Sequence, residues 1–177
     1  LSSSSAASDV YKRQDIGGVG GKILEDIRWP DTQKTGETRL LDAYLYMGFD
    51  KDKRKTIKHL KGSNMSFKRN LAIEIGPFDL SFGGDAVYEE ADFCLRFTKK
   101  YILIFEPRAI VRHLRLPDGG CRMNTKENRF YWLYHNHTLL FLKHFNKLFF
   151  PILFGKDIIK IIIRSIKWRN PKIIKLG

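Results

Sequence analysis

Cysteine is scarce in this chain. Cys94 and Cys121 are its two, and neither belongs to a C-x-x-C pair or a Cys/His cluster. That usage argues against a disulfide framework and a structural zinc site, and it fits a reducing compartment. Long apolar runs are missing as well. In the C-terminal part, the longest stretch without Lys, Arg, Asp or Glu is the thirteen residues 130–142, which include two histidines, and the next is the eight residues 148–155. A membrane-spanning helix needs roughly 20 apolar residues, so neither stretch supports one. No charged start and apolar core mark a secretory signal, no segment repeats, and neither G-x-G-x-x-G nor a P-loop is matched. Acidic residues are thin in one region only. Residues 121–177 carry 12 Lys and Arg against two Asp and Glu, which supplies +10 of the chain's +13. Residues 15–120 carry 18 against 16. The basic character belongs to the tail, and its explanation belongs there too.

What is present has the composition of a folded domain. The chain has 177 residues, 43% hydrophobic and 29% charged, which leaves room for a core and excludes disorder. The first fourteen residues, LSSSSAASDVYKRQ, stand apart: they are rich in Ser and Ala, follow no apolar period and contain no initiator Met. They resemble a translated sequencing adapter of the kind found at the ends of metagenomic reading frames. A genuine flexible arm is the alternative.

From residue 15 onward, strand and helix signals alternate. In DIGGVGGKIL, four glycines in five positions read as a turn into a strand formed by KIL. Residues 38–47 suit a short helix or strand, and 49–62 suit a charged loop with an edge strand. Residues 68–75 read as a helix stopped by Gly76-Pro77. Residues 89–100 read as a second helix, and 101–114 as two short strands broken by Pro107. Residues 126–147 are aromatic and helical. His135 and His137 lie two apart, so a helix points them to different faces and they read as ordinary helix residues.

The stretch YEEADFCLRF places Glu89, Glu90 and Asp92 at a helix start. Acids in a first helical turn favourably meet the positive dipole end, which is one sufficient reason for them. The order of motifs around them supplies another. Gly62, Asn64, Phe67, Lys68 and Arg69 are followed by Gly76, Phe78, Asp79 and Phe82. Then come the acids with Leu95 and Arg96, and last Pro107, Ala109, Val111 and His113. This order resembles the C-terminal half of the catalytic domain in family 2 glycosyltransferases, with rhamnosyltransferase-like members the nearest subgroup.

The resemblance implies an α/β fold: a partial GT-A (Rossmann-like) domain over 15–120, without its N-terminal nucleotide-binding half, followed by C-terminal helices in a basic amphipathic tail, 121–177. It implies inverting transfer of a sugar from a nucleotide-diphosphate donor to a glycan or lipid-linked acceptor. Glu90, second in the acidic pair, would be the general base that takes the acceptor hydroxyl's proton. Glu89, Gly62, Asn64 and Asp79 would border acceptor or donor. His113 would be a ligand of the divalent metal, Mg²⁺ or Mn²⁺, that holds the diphosphate; a loop histidine bonded to backbone is the alternative. Asp92 and Arg96, at i and i+4, read as a structural pair. The family's DxD carboxylates have no counterpart in residues 15–61 except DKD at 50–52, which comes too late in the order. Residues 1–177 alone are therefore expected to be inactive.

In the tail, Lys156, Lys160, Arg164 and Lys167 recur along one helical face, isoleucines fill the rest, and Trp168 ends the run. A basic amphipathic helix over 156–168 is expected to lie on an anionic membrane surface, peripheral at the inner face of the cytoplasmic membrane. Packing of the isoleucines on a missing half is the alternative. The rival function is a non-catalytic binding module that uses this tail on membrane or nucleic acid. Nucleic acid is disfavoured, because its binding wants cations interleaved with exposed stacking aromatics, whereas here the aromatics cluster with aliphatics.

Overall fold

The glycine-rich segment is not a turn. In the computed structural model, which describes residues 16–26, 34–114 and 125–168, Ile16–Leu24 is a nine-residue strand, β1. Glycine is needed there because neighbours press on the strand. A Cβ on Gly17 would lie 2.7 Å from the Phe97 ring, and one on Gly21 would lie 2.0 Å from the Ala109 carbonyl oxygen. The short strands β2 (Thr38–Arg39) and β3 (Tyr44–Leu45) pair as a separate two-stranded sheet. Then come β4 (Lys55–Ile57), a 3₁₀ turn at Gly62–Asn64, and β5 (Met65–Phe67).

Helix α1 (Arg69–Ile75) ends as the sequence predicts. Gly76 takes φ 92°, and its N–H closes on the Ala72 and Ile73 carbonyls. Helix α2 (Glu89–Phe97) buries Ala91, Asp92, Phe93, Cys94 and Phe97. Strand β6 runs unbroken over Ile102–Arg112, not as two short strands. Proline 107 is absorbed by a bulge: Gly21 pairs with Glu106 and Lys22 with Ile110, so residues 107–109 have no partner on β1. Glu106, buried at the bulge, accepts from the Arg108 amide at 3.1 Å and from Arg54 at 2.6 Å.

The main sheet has the order β4-β6-β1-β5. β1 and β6 are parallel neighbours, while β5 and β4 flank them antiparallel. The fold is mixed α/β, with a mixed sheet and four α-helices among the described residues. The last two are α3 (Lys126–His144), N-capped by the Thr125 hydroxyl, and α4 (Phe150–Trp168).

The described residues form two compact units that interleave along the chain. The first takes 16–26, 34–38, Leu45–Phe78 and 90–114; the second takes Arg39–Tyr44, Asp79–Glu89 and 125–168. In the first, Phe49, Ile57, Leu60, Phe93, Phe97, Leu103 and Phe105 make one apolar core. Phe67 meets Phe93 and Phe97 at ring-centroid distances of 4.9 and 5.1 Å. In the second, Tyr134 and Ile161 pack together with Phe130, and His137 Nδ1 lies 3.0 Å from the Asp157 carboxylate. No helix among the described residues is long and apolar enough to cross a membrane. The serine-rich start, the segment 115–124 with Cys121, and the side chains of Lys167 and Trp168 lie outside what is described.

Candidate active site

Two parallel strands end side by side in the first unit. In open α/β sheets this carboxyl edge is where ligands bind. The residue after β1 is Glu25, and the residue after β6 is His113. The ladder runs one bond past β6, with the His113 amide donating to the Leu24 carbonyl at 3.0 Å. Their side chains then meet: His113 Nδ1 lies 2.6 Å from Glu25 Oε1. Lys61 Nζ donates to the same oxygen at 2.5 Å. The Glu25 carboxylate is almost fully buried and Lys61 nearly so, whereas His113 keeps 38% of its side chain exposed. A carboxylate can only accept, so in the neutral ring Nδ1 carries the proton and Nε2 keeps its lone pair. Sequence reasoning missed Glu25 and Lys61. The available signal was an acid placed immediately after a buried strand.

The turn Gly62–Asn64 follows Lys61 directly. Both donors of the Asn64 amide group are committed to backbone, one to Lys22 O at 3.1 Å and one to Ala109 O at 2.9 Å. Asn64 thus spans the gap opened by the β6 bulge and ties it to β1, and bare Gly21 leaves the room for it. Gly62 is exposed. A Cβ there would lie 3.9 Å from Glu90 Oε1, so glycine leaves the flank of that carboxylate open. Glu90 is half-buried in the first turn of α2. Four residues on, the Cys94 thiol is pushed up to about 12 by burial, with the Glu90 charge adding to the rise. Cys94 is an inert core group, and its Sγ accepts from the Leu60 amide at 3.4 Å. Asp92 is fully buried and holds Arg96 Nε at 2.9 Å, the i, i+4 pair expected from the sequence. Arg96 also caps α1 through the Ile75 carbonyl at 3.0 Å.

Glu90, Gly62, Asn64 and His113 therefore belong to one unit, with Gly62 beside Glu90 and its neighbour Lys61 on the Glu25 carboxylate that pairs with His113. Asp79 and Glu89 belong to the second unit. Burial holds the Glu89 carboxyl above its ordinary range. The segment that ends in Glu89 has unusual backbone, with Ala86 at φ 54° and Tyr88 at φ 78°, conformations that L residues rarely adopt. Helix α3 holds this segment. Trp132 packs so tightly on Gly83 and Gly84 that a Cβ on either would lie within 2.3 Å of the indole. Asn136 Nδ2 donates to the Gly83 carbonyl at 3.0 Å, and His137 stacks on Tyr88 at 5.3 Å. Lys143 bonds to Asp79 at 2.6 Å. That bond, with the Ser81 amide, holds the Asp79 carboxyl down to about 2. His135 is exposed while His137 is buried. They take different faces as the spacing implies, but His137 has a positioning task that local sequence did not reveal.

No group of three His, Cys, Asp or Glu side chains that could hold a metal ion occurs among the described residues. They fit a metal only as the donor of one ligand, His113 Nε2, with Glu25 fixing the ring from behind as carboxylates do for metal-bound histidines. Comparison with protein-family models, with curated proteins and with solved structures finds no match. The functional reading therefore rests on the motif order and on this geometry.

Proposed function

We propose that the first unit is the acceptor-side part of an inverting, GT-A-like glycosyltransferase, with Glu90 as general base. The observation that supports the reading is a run of neighbours in the first unit, from Glu90 beside Gly62, through Lys61, to the Glu25–His113 pair after β1 and β6, with Asn64 bonded to the Lys22 and Ala109 carbonyls. Glu90 takes the proton of an acceptor hydroxyl as its oxygen attacks the anomeric carbon. The bond from that carbon to the nucleotide diphosphate breaks on the opposite side, so configuration inverts. Open space beside Gly62 admits the acceptor to the carboxylate, and Asn64 fixes the floor of the site. His113 Nε2 would hold a divalent ion, Mg²⁺ or Mn²⁺, which when bound supplies charge stabilisation for the departing diphosphate.

The test uses the complete reading frame that encodes this chain, assayed for nucleoside diphosphate released from nucleotide-sugar donors. Glu90→Gln keeps the shape and removes the base. It is expected to lower turnover by about 10²- to 10⁴-fold with donor KM unchanged. A Glu90→Gln enzyme that works within a few-fold of wild type would remove Glu90 from the role.

A further inference from the structure

Helix α4 buries a mixed row of apolar and polar residues and turns six of its seven isoleucines outward. Leu153, Asp157, Ile161 and Ser165, each four residues apart, are buried. Its cations Lys156, Lys160 and Arg164 recur along one side as the sequence suggests, with 41% of the Lys156 side chain and 45% of the Lys160 side chain exposed, and each has a partner. Lys156 bonds to Asp42, Lys160 to Asp157, and Arg164 Nη1 to the Tyr134 hydroxyl at 2.7 Å, all within the second unit. Ile159, Ile162, Ile163 and Ile166, spaced i, i+3, i+4 and i+7, stand 57%, 42%, 57% and 71% exposed. A helix that meets water shows the reverse pattern. The apolar surface continues into a groove of about 320 Å³ between α3 and α4, with Tyr131, Leu142, Phe154 and Ile158 among its walls.

We propose that this face of α4 docks on an anionic phospholipid bilayer, with the helix in the interfacial plane and the four isoleucines at the acyl boundary. Charge selects the occupant. Residues 150–177 carry seven Lys and Arg against one Asp. A second copy of the chain would bring that excess against its like, whereas anionic headgroups oppose it while the isoleucines leave water. The proposal stands independently of the transferase reading.

The experiment is co-sedimentation of the full chain with vesicles of phosphatidylcholine alone and of phosphatidylcholine with roughly a third phosphatidylglycerol, since each cation near an anionic surface adds affinity. Binding is expected to be at least about tenfold stronger to the anionic vesicles. The double variant Ile159→Glu/Ile163→Glu is expected to lose about tenfold or more with an unchanged far-UV spectrum, because both side chains are exposed. If that variant does not fold, Ile159→Ser/Ile163→Ser makes the same test. Three results would overturn the proposal: no sedimentation with either vesicle, anionic binding that the isoleucine variants leave intact, or a dimer in solution that these variants dissolve without any lipid binding.

Discussion

At the residue scale, two glycines and one histidine carry sharp expectations. Gly21 faces a backbone carbonyl where its Cβ would be, whereas nothing lies within 4 Å of a Cβ on Gly76. Gly21→Ala must displace the β6 bulge, and is expected to cost about 3 kcal/mol, the upper range for overpacking. Gly76→Ala meets no neighbour but must hold φ 92° with ψ 179°, a region essentially reserved for glycine, at a cost of about 1 to 3 kcal/mol. A urea midpoint for Gly21→Ala equal to that of wild type would refute the account of β1. His59 is fully buried, and its Nε2 donates to the Glu37 carbonyl at 3.2 Å. Burial pushes its pKa from 6.5 down to about 4. The unfolded chain takes up a proton near 6.5 while the folded chain waits until about 4, so stability falls with acid between those values and this contribution flattens below them. The loss amounts to roughly 3 kcal/mol at about 1.4 kcal/mol per pKa unit. His59→Gln keeps a donor for Glu37 but cannot titrate; denaturation measured from pH 7 to 4 should lose this slope in the variant. Glu25 makes a third expectation. With its carboxylate on Nδ1, the ¹⁵N shifts of His113 should report the Nδ1–H tautomer, and Glu25→Ala should redistribute the proton between the two nitrogens.

At the scale of elements, what could be read in advance was whatever local sequence decides. Helix α1 was legible from Gly76-Pro77, α2 from its acids and apolar spacing, and β4 as an edge strand from its charge. Strand β6 was not, because Pro107 reads as a break unless the bulge that accommodates it is known, and the residues supporting that bulge are distant in sequence. Asn64 is 45 positions from Ala109 and Gly21 is farther still, and neither announces the contact. The carboxyl-edge cluster was half legible: His113 fell within a motif, but Glu25 and Lys61 gained meaning only when two strand ends met. The clamp of α3 on the acidic segment was illegible for the same reason, since Trp132, Asn136 and His137 look like ordinary aromatic and polar helix residues. Through Asp157, α4 in turn orients the histidine of that clamp. The Asp157 carboxyl is held below its ordinary range although burial pushes the other way, because His137 and Lys160 both hydrogen-bond to it. Asp157→Ala leaves a buried imidazole N–H unpaired and is expected to cost about 2 kcal/mol, with Asp157→Asn recovering part of it. Equal stability of wild type and Asp157→Ala in guanidinium titrations would show the contact to be idle.

At the scale of the whole molecule, the two units are built differently and should open differently. In the first, β1 is hydrogen-bonded on both sides, to β6 and β5, and β6 is likewise held between β1 and β4. Phe97, Leu103 and Phe105 against that sheet are wholly buried. Amides so placed exchange with solvent only when the structure opens globally. In the second unit, α4 buries one residue in four along one side, only Leu153 and Ile161 of them apolar, and leaves its other isoleucines exposed, so little apolar burial opposes local fraying. Hydrogen exchange of the chain in buffer is therefore expected to show the β1 and β6 amides slowest, with those of α4 at least about a hundredfold faster, a gap of about 3 kcal/mol in opening free energy. Under rising urea the α4 amides should change little while the sheet amides fall steeply, because local opening exposes little surface and global opening exposes much. Protection in α4 equal to that of the sheet, with the same urea dependence, would mean that the exposed isoleucine face does not weaken the helix and that the second unit opens only together with the first.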